Sequence, residues 1–133
     1  MSESIDFEEA YFYDVTKVGI SIPVSLRIGD EFEGLLANVD TGSTYCIFER
    51  LHGEALGIDI ESGLPIEMGT VTGSFRAYGH EMTMNILGIE SIATVYFAES
   101  ELFDRNVLGR IGWLDQLKLG IVEHDGKLLL SRY

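Results

Sequence analysis

The sequence predicts a mostly β single domain over residues 1–133, and three observations predict it. Apolar side chains fall at every second position from Ile20 to Ile28, the signature of a strand with one buried face. β-prone runs are separated by turn pairs such as Gly29-Asp30 and Asp125-Gly126. Helical spacing is confined to one short segment and one C-terminal stretch, so nothing alternates in the manner of a parallel α/β sheet.

Bulk properties fit this reading and narrow the function. Hydrophobic residues make up 46% of the chain and charged residues 23%, the mix of a folded globular domain. Nine Lys and Arg against 22 Asp and Glu leave a formal charge of −13. Such a surface repels phosphate backbones and anionic lipid, so neither nucleic acid nor membrane is expected as a partner. Cys46 is the one cysteine, which excludes an intrachain disulfide. Residues Met1 to Asp6 lack the basic start and apolar core of a signal peptide, and no apolar run approaches transmembrane length. A cytoplasmic location is the expectation.

Taken in order, residues 1–9 are polar and acidic and are expected to be loose. Ala10 to Val15 is aromatic and β-prone. Val18 to Ile28 is a half-buried strand, with Ile20, Ile22, Val24, Leu26 and Ile28 on one face and Pro23 arguing against a central position. Gly29-Asp30 turns the chain, and Glu31 to Val39 returns. Glu49 to Leu56 reads as a short helix stopped at Gly57. Leu64 to Thr70 and Ser74 to Leu87 form a long hairpin around Val71-Thr72-Gly73, followed by a strand over Ile89 to Ala98 and an acidic loop to Arg105. Ile111, Leu114 and Leu117 recur near helical spacing, with Lys118 in the last turn and Gly120 as the stop, which predicts one C-terminal helix. Lys127 to Ser131 is the last strand.

One stretch departs from this ordinary pattern. Leu35 to Val39 and Tyr45 to Phe48 are apolar, and between them stands Asp40-Thr41-Gly42-Ser43. An aspartate at the end of an apolar strand is costly to bury as a charge unless hydrogen bonds hold it. Gly42 permits a tight turn, and Thr41 and Ser43 supply hydroxyls and amides that can face a carboxylate. The plain alternative is a turn between two strands, for which the same residues are ordinary choices.

Other reactive residues carry less. His52, His80 and His124 lack metal-ligand spacing and read as surface or hydrogen-bonded residues, so no metal and no cofactor are expected. Cys46 lies in an apolar strand and reads as a buried thiol. Ser43 lacks the Gly-x-Ser-x-Gly frame of a hydrolase elbow, and Gly109-Arg110-Ile111-Gly112 is too short for a dinucleotide loop. Trp113 reads as core.

The tetrad Asp40-Thr41-Gly42-Ser43, followed some seventy residues later by Val107-Leu108-Gly109-Arg110, resembles the retropepsin-like aspartic proteases, the single-domain relatives of pepsin. The similarity runs roughly from Val18 to the C-terminus. It implies a closed-barrel-like acid protease fold with a flap hairpin and one C-terminal helix. It also implies that Asp40 is the catalytic aspartate, that Thr41 reaches across to its symmetry mate, and that Gly42 lets substrate and water approach. By the same resemblance Ser43, Val107, Leu108, Gly109 and Arg110 support the active-site loop. Thr70, Val71, Thr72, Gly73 and Ser74 would be the flap tip over a peptide or unfolded polypeptide substrate.

The chemistry of that family needs two carboxylates sharing one proton, because like charges at contact distance do not both ionise. The chain has one such aspartate, so the expectation is an aspartic endopeptidase that works as a two-fold homodimer. Leu128-Leu129-Leu130 is the candidate strand for the dimer sheet, since a lone exposed apolar strand is an aggregation hazard. A Ser43 hydroxyl donating to Asp40 would favour its ionised form, while a −13 subunit pushes the other way; a weakly acidic optimum follows. The alternative is a catalytically silent dimeric peptide- or protein-binding module on the same fold.

Overall fold

In a computed structural model that describes residues 1–133, the chain forms two β-sheets over a shared core. The larger contains β2 (Ser21–Ile28), β3 (Glu31–Val39), β4 (Ile47–Phe48), β5 (Leu64–Thr70), β6 (Gly73–Ile86), β7 (Ile89–Ala98) and β8 (Val107–Leu108). Their order is β2-β3-β8-β4-β7-β6-β5, and β2 also pairs with β6 through Ser25↔Asn85 to Arg27↔Thr83. That extra pairing brings the sheet round on itself, which removes open edges from all but β5 and parts of its neighbours. The smaller sheet is antiparallel, ordered β1 (Glu9–Phe12), β10 (Lys127–Arg132), β9 (Leu117–Val122).

The alternation in β2 sets its burial. Ile22, Val24 and Leu26 are buried, whereas Pro23 is exposed and precedes the β6 pairing that starts at Ser25. A proline there withholds no amide from a second ladder. The buried face meets Met84, Ile86, Leu108, Phe48, Phe97 and Trp113, and Leu128 and Leu130 join from the smaller sheet. Each fully buried side chain of this size contributes about 1.5–3 kcal/mol before conformational entropy is set against it. The two-residue turns fall at Gly29-Asp30, Val71-Thr72 and Leu87-Gly88, so the predicted hairpins are in register. The short helix α1 (Arg50–Ala55) ends before Gly57, whose φ is +76°.

Three expectations are corrected. The C-terminal helix does not form: Leu114–Gln116 is a single 3-10 turn and Leu117–Val122 is strand β9. Gly112 takes φ +102°, which L residues rarely adopt and no α-helix contains, and β10 then captures 117–122 in antiparallel register. Tertiary pairing outweighs local helical spacing, and Gly120, the expected stop, lies mid-strand opposite Leu129. Second, β10 is the central strand of its sheet, paired on both sides, so it has no free edge to offer another copy. Its apolar residues are explained by burial, with Leu128 and Leu130 at 0% exposure. Third, the loose N-terminal stretch is shorter than residues 1–9. The Glu8 amide donates to Leu130 O at 3.1 Å, and the Glu8 carboxylate holds Ser131 and Arg132. No helix is long and apolar enough to cross a membrane.

Candidate active site around Asp40

Strand β3 delivers Asp40 to a loop that is fixed from both sides by main-chain hydrogen bonds. β3 and β8 run parallel through Asn38↔Val107 and Val39↔Leu108, and the Asp40 amide donates to Leu108 O at 3.0 Å. On the far side of the loop, Arg110 N donates to Ser43 O at 2.9 Å and Ile111 N to Thr44 O at 2.7 Å. The segment 107–111 thus splits β3 from β4 and clamps 40–45 between them. Gly109 makes the close approach possible: a Cβ there would lie 2.3 Å from Tyr45 O and 2.8 Å from Ser43 O.

Within the loop, Ser43 N donates to Asp40 O at 3.1 Å and Gly42 N to Asp40 Oδ1 at 2.9 Å. This is an Asx-type turn, which holds one carboxylate oxygen and fixes the side chain's direction. Asp40 is otherwise exposed, with no salt-bridge partner. The result is a rigidly mounted carboxylate that still reaches solvent.

A cleft of about 390 Å³ opens at this carboxylate. Asp40, Gly42 and Ser43 line it together with Val107 and Thr70. Leu108 and Gly109 are buried beneath it. Thr41 and Arg110 face a neighbouring depression of about 430 Å³ with Thr44, Ile111, Leu114 and Asp115. Val71, Thr72, Gly73 and Ser74 are exposed at the hairpin tip and do not reach the cleft, although Thr70, Met68 and Phe75 on the same hairpin line it. The tip is closed by Thr70 Oγ1, which donates to Gly73 O at 3.1 Å.

The Ser43 hydroxyl does not serve Asp40. It donates to Tyr45 O at 2.9 Å, because that carbonyl lies two residues on in the same turn. The expected ionising effect of Ser43 on Asp40 therefore has no basis in the geometry, and its consequence for an acidic optimum falls with it.

Sequence reasoning missed most of the cleft wall. Tyr45, Ile47, Met68, Phe75 and Phe103 form its apolar side, and Glu67 and Arg105 are its other charged groups. Phe75 and Phe103 stack at 4.9 Å between centroids, which ties the 99–105 loop to the hairpin. A phenylalanine and a leucine inside an otherwise acidic loop were the available signal. Glu67 is engaged by Arg76 at 2.7 Å.

Behind β8 a polar network braces the same segment. The main-chain carbonyl of Asn106 accepts from the Asn38 amide at 2.9 Å, its Oδ1 accepts from Glu49 N at 2.9 Å, and its Nδ2 donates to Glu49 Oε1 at 2.9 Å. His52 stands between Glu33, at 2.8 Å, and Glu49, at 3.4 Å. His80 meets Ile60 O at 2.9 Å, so two of the three histidines are hydrogen-bonded. No three His, Cys, Asp or Glu side chains converge on a metal-sized site. Cys46 is fully buried, and burial pushes its thiol up to about 11 even though the Gly109 amide points at the sulfur. A thiol so held is not a nucleophile at neutral pH.

No family model and no curated protein matches the sequence. Among solved structures the chain is similar to the EIAV protease in its complex with the inhibitor HBY-793. The two share 19% sequence identity over 74% of this chain and 86% of that one, with a TM-score of 0.57. The likeness is one of fold.

Proposed function

We propose that this chain is an aspartic endopeptidase whose active site is assembled from two copies, each contributing Asp40. The observation that carries the proposal is the mounting of Asp40: one oxygen fixed by the Gly42 amide, the other open to an apolar-walled cleft beneath a hairpin. The acid protease fold shared with the EIAV protease supports the same reading. Glu67, the cleft's other carboxylate, is occupied by Arg76, so the second catalytic carboxylate is Asp40 of a second copy.

Two such carboxylates facing each other share a single proton. The ionised one takes a proton from a water as its oxygen attacks the scissile carbonyl carbon; the protonated one donates to the carbonyl oxygen. The carboxyl that took the water proton then passes it to the amide nitrogen, the other carboxylate takes a proton from a hydroxyl of the tetrahedral intermediate, and the C–N bond breaks to leave the pair singly protonated. Gly42 keeps the floor low enough for a main chain to approach, and Thr41 faces the partner's loop. Val107, Leu108, Gly109 and Arg110 hold the Asp40 loop from below and beside it. The 64–86 hairpin flanks the bound polypeptide through Met68, Thr70 and Phe75, which line the cleft, while its tip, Val71 to Ser74, stands clear of it.

Because β10 is already paired, the second copy seats on the face around Asp40, beside Thr41, Arg110 and the half-exposed Ile111. Cleavage of a peptide library by wild-type protein, with Asp40→Asn as control, tests the activity. Cleavage should vanish in the variant. Unimpaired cleavage by Asp40→Asn, or by a monomer, would contradict the proposal.

A further inference from the structure

The cleft at Asp40 holds one cation, Arg105, and that cation has no carboxylate partner in the chain. Six of the nine basic residues lack a carboxylate within salt-bridge distance, and Arg105 is the one of them that lines this cleft. Arg50, Arg76 and Arg132 are each taken by a carboxylate of their own, on Glu61, Glu67 and Glu8. The same Arg76 contact keeps Glu67 from competing for Arg105 inside the cleft. Arg105 instead lies with its guanidinium 5.8 Å from the centre of the Phe103 ring, which orients the fork without satisfying its donors. Phe103 in turn stacks on Phe75, so the cation stands at the end of an apolar run that continues to Met68 and Ile47.

We infer that the cleft selects polypeptide segments in which an acidic side chain lies close to a large apolar one. The apolar side chain packs on Ile47, Met68 and Phe75, and the acidic one pairs with Arg105. The inference rests on reading this cleft as a polypeptide-binding site. A planar guanidinium recognises a carboxylate through two parallel N–H···O bonds, which gives selectivity for Asp or Glu over Asn or Gln. The pair is solvent-exposed, so its effect is modest and weakens as salt rises.

The test uses fluorescein-labelled peptides with a Phe-Leu core flanked by Glu, Gln or Lys. Binding is followed by anisotropy on an Asp40→Asn background, so that no peptide is consumed. The Glu peptide should bind about three- to fivefold more tightly than its Gln analogue at low ionic strength. The preference should disappear in Arg105→Gln and turn toward the Lys peptide in Arg105→Glu. Arg105 is exposed, and unchanged thermal unfolding of these variants verifies their folding. Equal binding of the Glu and Gln peptides, a preference that survives Arg105→Gln, or no binding of any peptide would overturn the inference. An acidic preference in binding, without cleavage by the Asp40 form, would instead count against the protease reading alone.

Discussion

The main-chain amide of Asp40 donates to the carbonyl of Leu108 at 3.0 Å, joining the end of β3 to the end of β8. The exposed carboxylate is therefore mounted on two strands that meet beneath it from distant parts of the sequence. A loop held this way loses little entropy when it binds, because it was ordered beforehand.

Gly109 is what lets those strands meet. In Gly109→Ala the new methyl would sit 2.3 Å from Tyr45 O, a backbone atom that has no rotamer to escape into. The expected loss of stability is at least about 2 kcal/mol, read by urea unfolding, with loss of any activity in step. A neutral substitution would show that the clamp is looser than its geometry.

Ser43→Ala removes the hydroxyl bond to Tyr45 O. Stability should fall by about 1 kcal/mol. The shared proton of an Asp40 pair predicts a bell-shaped pH–rate profile belonging to the pair as a whole. Since the Ser43 hydroxyl does not touch the Asp40 carboxylate, the limbs of that profile should stay in place in Ser43→Ala. A displaced acid limb would argue for direct contact between the two side chains once two copies assemble.

Cys46 gives a pH dependence of a different kind. Burial raises its thiol from an ordinary 9.0 to about 11 in the folded chain. Between those values the unfolded thiol has lost its proton while the folded one retains it, so folding stability falls as pH rises through that window. Below it, this contribution is fully present. Chemical denaturation across the window should show the decline in wild type and a weaker one in Cys46→Ala. In the native protein at neutral pH, Ellman's reagent should react only after unfolding.

His52 braces the site from behind through Glu33 and Glu49, and Glu49 in turn holds Asn106 next to β8. Replacing it by Phe leaves two half-buried carboxylates without their shared partner. A loss of about 1–3 kcal/mol is expected, measured by thermal unfolding at neutral pH. Asn106→Ala should lose a similar amount, and the double variant less than the sum, since the residues share one network.

The larger features were legible because local pattern and tertiary structure agree. The period-two run of β2, the turn at Gly29-Asp30 and the 64–86 hairpin are all present, since each depends on neighbours in sequence. The 111–120 segment was misread because its apolar spacing suits a helix, while Gly112 and the waiting edge of β10 decide otherwise. Leu128-Leu129-Leu130 does not supply an open strand for a dimer sheet, because β10 is paired on both sides and Leu128 and Leu130 enter the protein's own core. At the site, Asp40 and the Val107-Leu108-Gly109 brace stood out as motifs, whereas the walls formed by Tyr45, Met68, Phe75, Phe103 and Arg105 come from four separate segments. The hairpin pairs Met68 with Phe75, but no local spacing brings Tyr45, Phe103 and Arg105 to them. The direction of the Ser43 hydroxyl was likewise settled by a turn geometry that residue type does not specify.

Whether two copies of Asp40 form one site is decided by the separation of their carboxylates in a crystal structure of the protein. The expected result is a two-fold dimer with the two side chains in hydrogen-bond contact, about 3 Å apart, across the axis. A monomer, or a dimer whose Asp40 side chains face away from each other, would contradict it.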